Sequence, residues 1–199
     1  MKQRGFSLIE LVVTMAVLAL VLFATAPSIG AWLDNSRIRN AAESLQIGLQ
    51  TARSEAVGRN QSISFYLVSL ADPGVMDNSC ALSASSGSWV VSAASPDTHC
   101  ANAPSTSVAP KIVLKRAVGD GGGKVKVSGL QADGTTGGTT VTFNGFGRVV
   151  NADPIARIDI TGPNDGAAYR NLQVRITSAG AIRMCDPHVP ADSTDPRKC

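Results

Sequence analysis

Residues 5–33, GFSLIELVVTMAVLALVLFATAPSIGAWL, decide the fold, because no charged side chain occurs from Leu11 to Leu33. As a helix these 23 residues would rise roughly 35 Å, which is enough to cross the hydrocarbon core of a bilayer. Lys2 and Arg4 precede the run and no acid does. We therefore expect the amino terminus to stay in the cytoplasm and the rest of the chain to be exported.

Two ordinary explanations of this run account for it less well. A secretory signal peptide could use Ala24-Thr25-Ala26 as its cleavage site, but Pro27 would follow the cut directly, and the run exceeds a usual signal core. A generic single-span anchor does not explain Glu10, because an ionisable side chain at the edge of lipid costs up to a few kcal/mol. Glu10 therefore predicts a functional carboxylate that needs a partner.

The stretch Gly5-Phe6-Ser7-Leu8-Ile9-Glu10-Leu11 resembles the class III signal of type IV pilins and type II secretion pseudopilins. The resemblance implies that a prepilin peptidase cuts after Gly5 and methylates Phe6. Glu10 then becomes the fifth mature residue, the acid expected to pair with a neighbouring subunit's amine during filament growth. Pro27 takes the place of the proline that kinks the helix in many type IV pilins.

Beyond Leu33 the helix is predicted to continue as an amphipathic segment over residues 34–58, with Gly58 as its stop. Its apolar positions recur at three- and four-residue intervals and should form one buried face. These positions are Ile38, Ala41/Ala42, Leu45, Leu49, Ala52 and Ala56.

Three later stretches resemble the GspH/FimT/FimU group of minor pilins and pseudopilins. They are Leu49–Asn60, with its Ala-Arg-Ser-Glu-Ala run, Phe143–Arg148 and Ser178–Pro187. The resemblance implies a pilin-like α+β fold, in which a long N-terminal transmembrane helix packs on a C-terminal antiparallel β-sheet domain. The expected divisions are a leader over 1–5, a membrane or filament-core half over 6–33, the amphipathic half over 34–58, and a β-rich periplasmic or extracellular domain over 59–199. Arg53 and Glu55 either lie on a solvated helix surface or fix the helix end against the sheet.

The globular part alternates apolar and polar residues at the period of β-strands. We predict a hairpin with its tip at Asp120–Gly123, and a variable loop over most of Ser83–Pro110, interrupted by a strand around Trp89. The predicted strands are Gln61–Leu70, Ser88–Ala93, Lys111–Val118, Lys124–Leu130, Thr139–Asn144, Ala156–Thr161, Arg170–Thr177 and Ala181–Met184.

The four cysteines form no C-x-x-C pair and, in an exported domain, indicate two disulfides. We expect Cys80 to pair with Cys100 across the variable loop and Cys185 to pair with Cys199 at the tail. Four cysteines permit three connectivities, and the sequence does not select among them.

The sequence contains no recognisable catalytic or cofactor-binding motif. His99 and His188 stand in no catalytic pattern, and Gly119–Lys124 lacks the spacing of a phosphate-binding loop. The stretch Cys185-Asp186-Pro187-His188 together with Cys199 does not supply four good zinc ligands. We expect no enzyme, no metal and no cofactor.

DNA binding is the serious alternative. Some FimT-like pilins bind DNA through a Gly-Arg-x-Arg motif, and the matching positions here are Gly180, Ala181, Ile182 and Arg183, with the first arginine replaced. A second basic group is predicted on the hairpin, from Lys111, Lys115, Arg116, Lys124 and Lys126. The formal net charge is only +3, so DNA is a partner that we do not favour.

The sequence is therefore identified as that of a minor type IV pilin of the FimT/FimU type, at or near the pilus tip, which initiates or connects assembly. The first alternative is a GspH-like minor pseudopilin of a type II secretion system, and the second is a DNA-uptake pilin. The implied partners are other pilins, the prepilin peptidase and the assembly platform. The implied location is the bacterial inner membrane as a single-pass protein, and afterwards the extracellular filament.

Overall fold

The computed structural model describes residues 7–119, 124–164 and 169–199, and side chains 23–29 are outside that description. Within these residues, one long helix, α1 (Leu8–Arg59), is followed by nine strands. These are β1 (Ile63–Ser69), β2 (Ala81–Leu82), β3 (Ser88–Ser92), β4 (Ile112–Arg116), β5 (Lys126–Leu130), β6 (Thr140–Phe143), β7 (Arg157–Thr161), β8 (Leu172–Ile176) and β9 (Ile182–Cys185). All eight strands that the sequence predicts are present within a few residues, and β2 is an additional short one.

The strands form two antiparallel sheets. In the first, β2, β1, β3 and β4 lie side by side, and β6 also pairs with β1. The second has the order β5-β7-β8-β9. Helix α1 contacts both sheets, so the predicted fold of a long helix packed on an antiparallel β domain is confirmed.

The second half of α1 buries one continuous stripe against these sheets. Every residue of this stripe is fully buried, as the three- and four-residue spacing predicts. The stripe consists of Ile38, Ala42, Leu45, Leu49, Ala52 and Ala56. Trp89 of β3 packs on it and donates a hydrogen bond from Nε1 to the buried Ser44 Oγ at 3.0 Å.

Strand β1 is covered on both faces, although alternation of apolar and polar residues is typical of a strand with one buried face. Phe65 and its neighbours on one face join the core beneath α1. Tyr66 and Val68 on the other face join a second apolar cluster with Val90 and Ile112. The loop held by Cys80–Cys100 supplies that second cover, which periodicity within β1 alone does not reveal.

The predicted hairpin of residues 111–130 is wrong. Strand β4 pairs with β3 in the first sheet, and β5 pairs with β7 in the second. Ile112 of β4 is buried in the second cluster, whereas Val113 of β4 and Val127 of β5 pack in the core beneath α1, so the two strands contact that core from different sheets. The predicted tip, residues 120–123, lies outside the described residues.

The helix end also differs from prediction. Gly58 is helical, α1 continues to Arg59, and Asn60 provides the left-handed cap with φ 48° and ψ 44°. Asparagine is among the few residues other than glycine that adopt this conformation readily, so it can terminate a helix.

Candidate functional site

The first part of α1 carries apolar side chains that the chain itself leaves uncovered. Every large apolar side chain described from Leu8 to Leu22 is more than half exposed, and Leu8 reaches 82%. Exposed apolar surface of this extent, continuous along a helix, marks a surface that contacts lipid or other proteins. Within the described residues, however, no helix meets the length and hydropathy expected of a membrane span.

Glu10 lies in the first turn of α1 and is exposed. Its backbone N–H donates to the Ser7 carbonyl at 3.1 Å, and its carboxylate has no ion-pair partner within the described part of the chain. Gly5 and Phe6, the residues of the predicted cleavage junction, lie outside the described residues. Pro27 falls inside the continuous helix α1. The roles proposed for these four residues remain predictions.

The opposite end of α1 is the meeting point of the three stretches that resemble minor pilins. Arg53 donates from Nε to the Gly147 carbonyl at 3.2 Å. Gly147 and Gly180 both have positive φ, 72° and 83°, and a Cβ on Gly180 would overlap the Gly147 carbonyl oxygen. A Cβ on Gly145 would likewise overlap the Asn60 side chain. Arg53 therefore fixes the helix end against the two loops.

Glu55, the other residue of that run, has a different role. Its carboxylate accepts from Arg59 Nε at 2.6 Å, one helical turn further on. The pair stays on the helix surface, where such contacts contribute a few tenths of a kcal/mol.

The five predicted hairpin cations do not form one group, since β4 and β5 belong to different sheets. Lys115 is a structural cation, because its ammonium donates to the carbonyls of Cys100, Ala101 and Asn102 at 2.7, 2.9 and 2.9 Å. Partial burial lowers its pKa. The other four, Lys111, Arg116, Lys124 and Lys126, are exposed.

Arg183 belongs to a row of arginines that the sequence pattern does not predict. In the register of sheet two, Arg157 of β7 lies opposite Arg175 of β8, which lies opposite Arg183 of β9. Neighbouring side chains on one face of a sheet are about 5 Å apart at Cβ, and like charges in that arrangement repel. Only the strand pairing brings these residues together, so no local pattern reveals the row.

Each arginine of this row already has a partner, and Arg157 has two, because its Nε also lies 3.4 Å from Asp159 Oδ2. Arg157 donates from Nη2 to the Gly134 carbonyl at 3.1 Å, and Arg175 donates from Nε to Gln173 Oε1 at 3.3 Å. Arg183 donates to the Lys198 carbonyl. The remaining donors on Arg175 and Arg183 face solvent on exposed residues.

Both disulfides have the predicted pairing, Cys80–Cys100 and Cys185–Cys199. The second holds the carboxyl-terminal tail beside β9, where the backbone N–H of Asp186 donates to the Arg197 carbonyl at 2.7 Å. Among residues 7–119, 124–164 and 169–199, no cluster of His, Cys, Asp and Glu side chains could hold a metal ion.

A cavity of about 820 Å³ lies between α1 and the β8–β9 edge of sheet two. Its helical wall spans Ala31 to Arg39, and Arg170 and Asp186 stand on the opposite wall. Asn35 Oδ1 accepts the backbone N–H of Arg170 at 2.8 Å and joins the two walls. None of these wall residues was predicted as a site.

Comparison with known proteins adds family evidence to this geometry. The family model described as type II transport protein GspH matches residues 41–180, and the prokaryotic N-terminal methylation motif matches residues 1–26. Comparison with curated proteins finds no match.

Two solved structures are similar, both of the type IV minor pilin FimU of Pseudomonas aeruginosa strain PAO1. The crystal form in space group P21 has 17% identity and a TM-score of 0.46, and the alignment covers 77% of this chain and 91% of that one. The form in space group P65 has 20% identity and a TM-score of 0.43, with 73% and 90% covered.

Proposed function

The chain belongs to the GspH family of type II transport proteins, within the pilin and pseudopilin superfamily, and from this premise we propose that it works as a minor pilin of a type IV filament. It enters the filament at or near the tip and initiates or connects assembly with other pilins. The observation that carries the proposal is the division of α1 into an uncovered apolar half and a half buried on its own sheets.

The uncovered half needs an apolar environment before and after assembly. Burying one large apolar side chain is worth about 1.5–3 kcal/mol, so a row of such side chains favours transfer out of water strongly. Lipid supplies that environment while the protein is a single-pass protein of the inner membrane with its globular domain in the periplasm. The helices of neighbouring pilins supply it once the assembly platform has inserted the subunit in the filament.

Glu10 gives this packing a defined axial position. A carboxylate in an apolar environment is tolerated when it is paired, and the described residues offer it no partner within the chain. Cleavage after Gly5 creates an amine at Phe6, which a neighbouring subunit can present to Glu10. A subunit at the wrong height would leave both charges unpaired, so only the correct register is stable.

The mature protein tests the processing step directly. Mass spectrometry should find 194 residues, the 199 of the sequence less the five of the leader, beginning with N-methylated Phe6. A mature protein beginning at Pro27 would contradict the proposal and indicate a conventional signal peptide.

Filament incorporation tests the role of Glu10. The substitution Glu10→Val should leave cleavage intact but remove the subunit from sheared filaments. Glu43→Val is the matched control, because Glu43 is an acid on the same helix with a partner of its own, Arg39 at 2.9 Å. Equal incorporation of both variants would overturn the pairing argument.

A minor pseudopilin of a type II secretion system is the alternative within the same family, and the description of the matching family model favours it. Both assemblies would use the uncovered helix and Glu10 in the same way. Deletion of the gene separates them, because loss of surface filaments supports the minor pilin, whereas loss of exported enzymes from the medium supports the pseudopilin.

DNA binding is a second candidate that the arginine row of Arg157, Arg175 and Arg183 favours. A row of guanidinium groups can pair with successive phosphates, and such binding weakens steeply as salt rises. We still place it second, since without residues 1–33 the chain has sixteen basic and fourteen acidic residues, a formal charge of +2. Duplex binding lost in both Arg175→Ala and Arg183→Ala, but kept in the double substitution Lys124→Ala/Lys126→Ala, would establish it.

A further inference from the structure

The cavity between α1 and sheet two lies where the uncharged part of the helix ends. Its helical wall begins at Ala31, the uncharged run stops at Leu33, and Asp34 is the first charged residue after Glu10. In the membrane-inserted protein of the proposed function, on which this inference rests, the wall crosses from the apolar core to the headgroup region. The cavity then opens at the level of lipid phosphates.

Trp32 marks the same boundary. It lines the cavity and is 67% exposed, although a large aromatic side chain in a soluble domain is usually covered. Tryptophan is enriched where a membrane meets water, because its ring is apolar and its indole N–H donates a hydrogen bond. Its position on the lower rim of the cavity suits contact with a lipid just below the headgroup.

The cationic side chains around the cavity differ in their availability. Arg39 is engaged with Glu43 at 2.9 Å, and Arg197 is engaged with Asp195 at 2.6 Å. The Arg170 guanidinium, by contrast, makes no hydrogen bond or ion pair with any residue that the structure describes. A free guanidinium is well suited to grip a phosphate through two parallel N–H donors.

The cavity also carries one carboxylate, Asp186. Its Oδ1 accepts the backbone N–H of His188 at 2.9 Å and lies 3.4 Å from His188 Nδ1, and the carboxylate also interacts electrostatically with Arg197, whereas Oδ2 has no hydrogen-bond partner within the described residues. One available cation and one available anion in the same cavity suit a zwitterion better than a simple anion. The cavity volume of about 820 Å³ is that of an ordinary small-molecule pocket.

We propose that this cavity binds the headgroup of a glycerophospholipid with an ethanolamine group. Arg170 holds the phosphate, Asp186 accepts a hydrogen bond from the ammonium, and Trp32 contacts the upper part of the acyl chains. The lipid thereby holds the globular domain against the membrane surface before the subunit enters a filament.

Quenching of Trp32 fluorescence tests the proposal on the full chain in phosphatidylcholine vesicles. A small fraction of the lipid carries brominated acyl chains, on either phosphatidylethanolamine or phosphatidylcholine. Trp89 is buried and gives a constant background, which the variant Trp32→Phe measures. We expect stronger quenching by the brominated ethanolamine lipid, because choline carries no N–H for Asp186 and therefore competes poorly.

Two variants and one control make the result specific. Arg170→Gln should lower the apparent affinity for the ethanolamine lipid about tenfold, the effect of losing one charge-assisted hydrogen bond. Asp186→Asn should remove the preference for ethanolamine over choline. Arg148→Gln removes the same charge from an exposed position outside the cavity, and it should leave both the affinity and the preference unchanged.

The other outcomes each contradict a different part of the argument. Absence of quenching by either lipid would contradict the membrane placement of the proposed function. Equal quenching by both lipids would keep that placement and overturn the headgroup site. Trp32 emission that follows the protein-to-lipid ratio, whatever the headgroup, would overturn it too and identify a second copy of the chain as the occupant.

Discussion

The two halves of helix α1 have the same backbone conformation and opposite surroundings. In the first half, the large apolar side chains described from Leu8 to Leu22 are all exposed, whichever side of the helix they occupy. In residues 34–59 they form a single stripe, and the stripe is buried. A helix that is apolar all round needs an environment that is apolar all round, whereas a stripe needs only one covered side. The width of the apolar surface thus separates the part that packs on the chain's own sheets from the part for which we propose a role in assembly.

The largest expected difference between the halves comes from truncating one leucine in each. Leu49→Ala should lower the free energy of unfolding by about 2–5 kcal/mol, because it opens a cavity in the core beneath α1. Leu18→Ala should leave it nearly unchanged, because Leu18 is 54% exposed. Denaturant titration followed by Trp89 fluorescence measures both. Equal losses would mean that the first half also packs on the globular domain.

Glycine substitutions test the same difference between the two halves of α1 with a smaller change in side-chain volume. A Cβ on Gly48 would lie 2.8 Å from the Phe65 ring and 2.9 Å from the Trp89 ring, so Gly48→Ala should cost about 1–3 kcal/mol by overpacking. A Cβ on Gly30 would meet nothing within 4 Å, and Gly30→Ala should stabilise the helix by up to about 1 kcal/mol. The same titration should therefore give shifts of opposite sign, and shifts of equal sign would refute the distinction.

A smaller effect is expected at the end of the buried half. Arg53→Met keeps most of the side-chain length but loses the hydrogen bond to the Gly147 carbonyl, and should cost about 1 kcal/mol. Hydrogen exchange should rise selectively at the amides of Gly147 and Gly180, which lie in the two loops that Arg53 holds. Unchanged exchange in both loops would show that the glycines alone set their positions.

The smallest effect should come from the surface of the same half. Glu43→Gln removes the ion pair with Arg39, whose side chain is 74% exposed, and should cost only about 0.3–0.5 kcal/mol. That difference should vanish in molar salt, because exposed charges are screened there. A difference that survives in salt would mean that Glu43 makes a buried contact in the folded protein.

Local patterns predicted the helix, its buried stripe and most of the strand positions, because each depends on the spacing of residues near one another in the chain. Strand pairing, by contrast, depends on residues that are distant from one another in the chain. The glycine-rich segment between β4 and β5 has the composition of a hairpin turn, but β4 pairs with β3 and β5 pairs with β7, strands that lie outside that segment. The arginine row and the cavity at Asn35 and Arg170 were missed for the same reason, since each depends on residues distant in sequence.

Gly58 and Lys115 show how a correct residue preference can still mislead. Glycine often ends helices, yet α1 continues past Gly58 to Arg59 and is capped by Asn60. The loop at Gly145 packs closely against Asn60. Lysine on a strand is usually a solvated charge, yet Lys115 satisfies three carbonyl groups of a loop that the Cys80–Cys100 disulfide holds nearby. In both cases the deciding partner comes from elsewhere in the fold.

The contact of α1 with both sheets has a mechanical consequence. When tension acts along the helix axis, the stripe from Ile38 to Ala56 is loaded in shear, so its contacts must yield together rather than one after another. The bond between Arg53 and Gly147 lies at the far end of that stripe and resists the same sliding. The globular domain should therefore withstand a pull through its helix better than an equal pull that peels β9 from the edge of the second sheet.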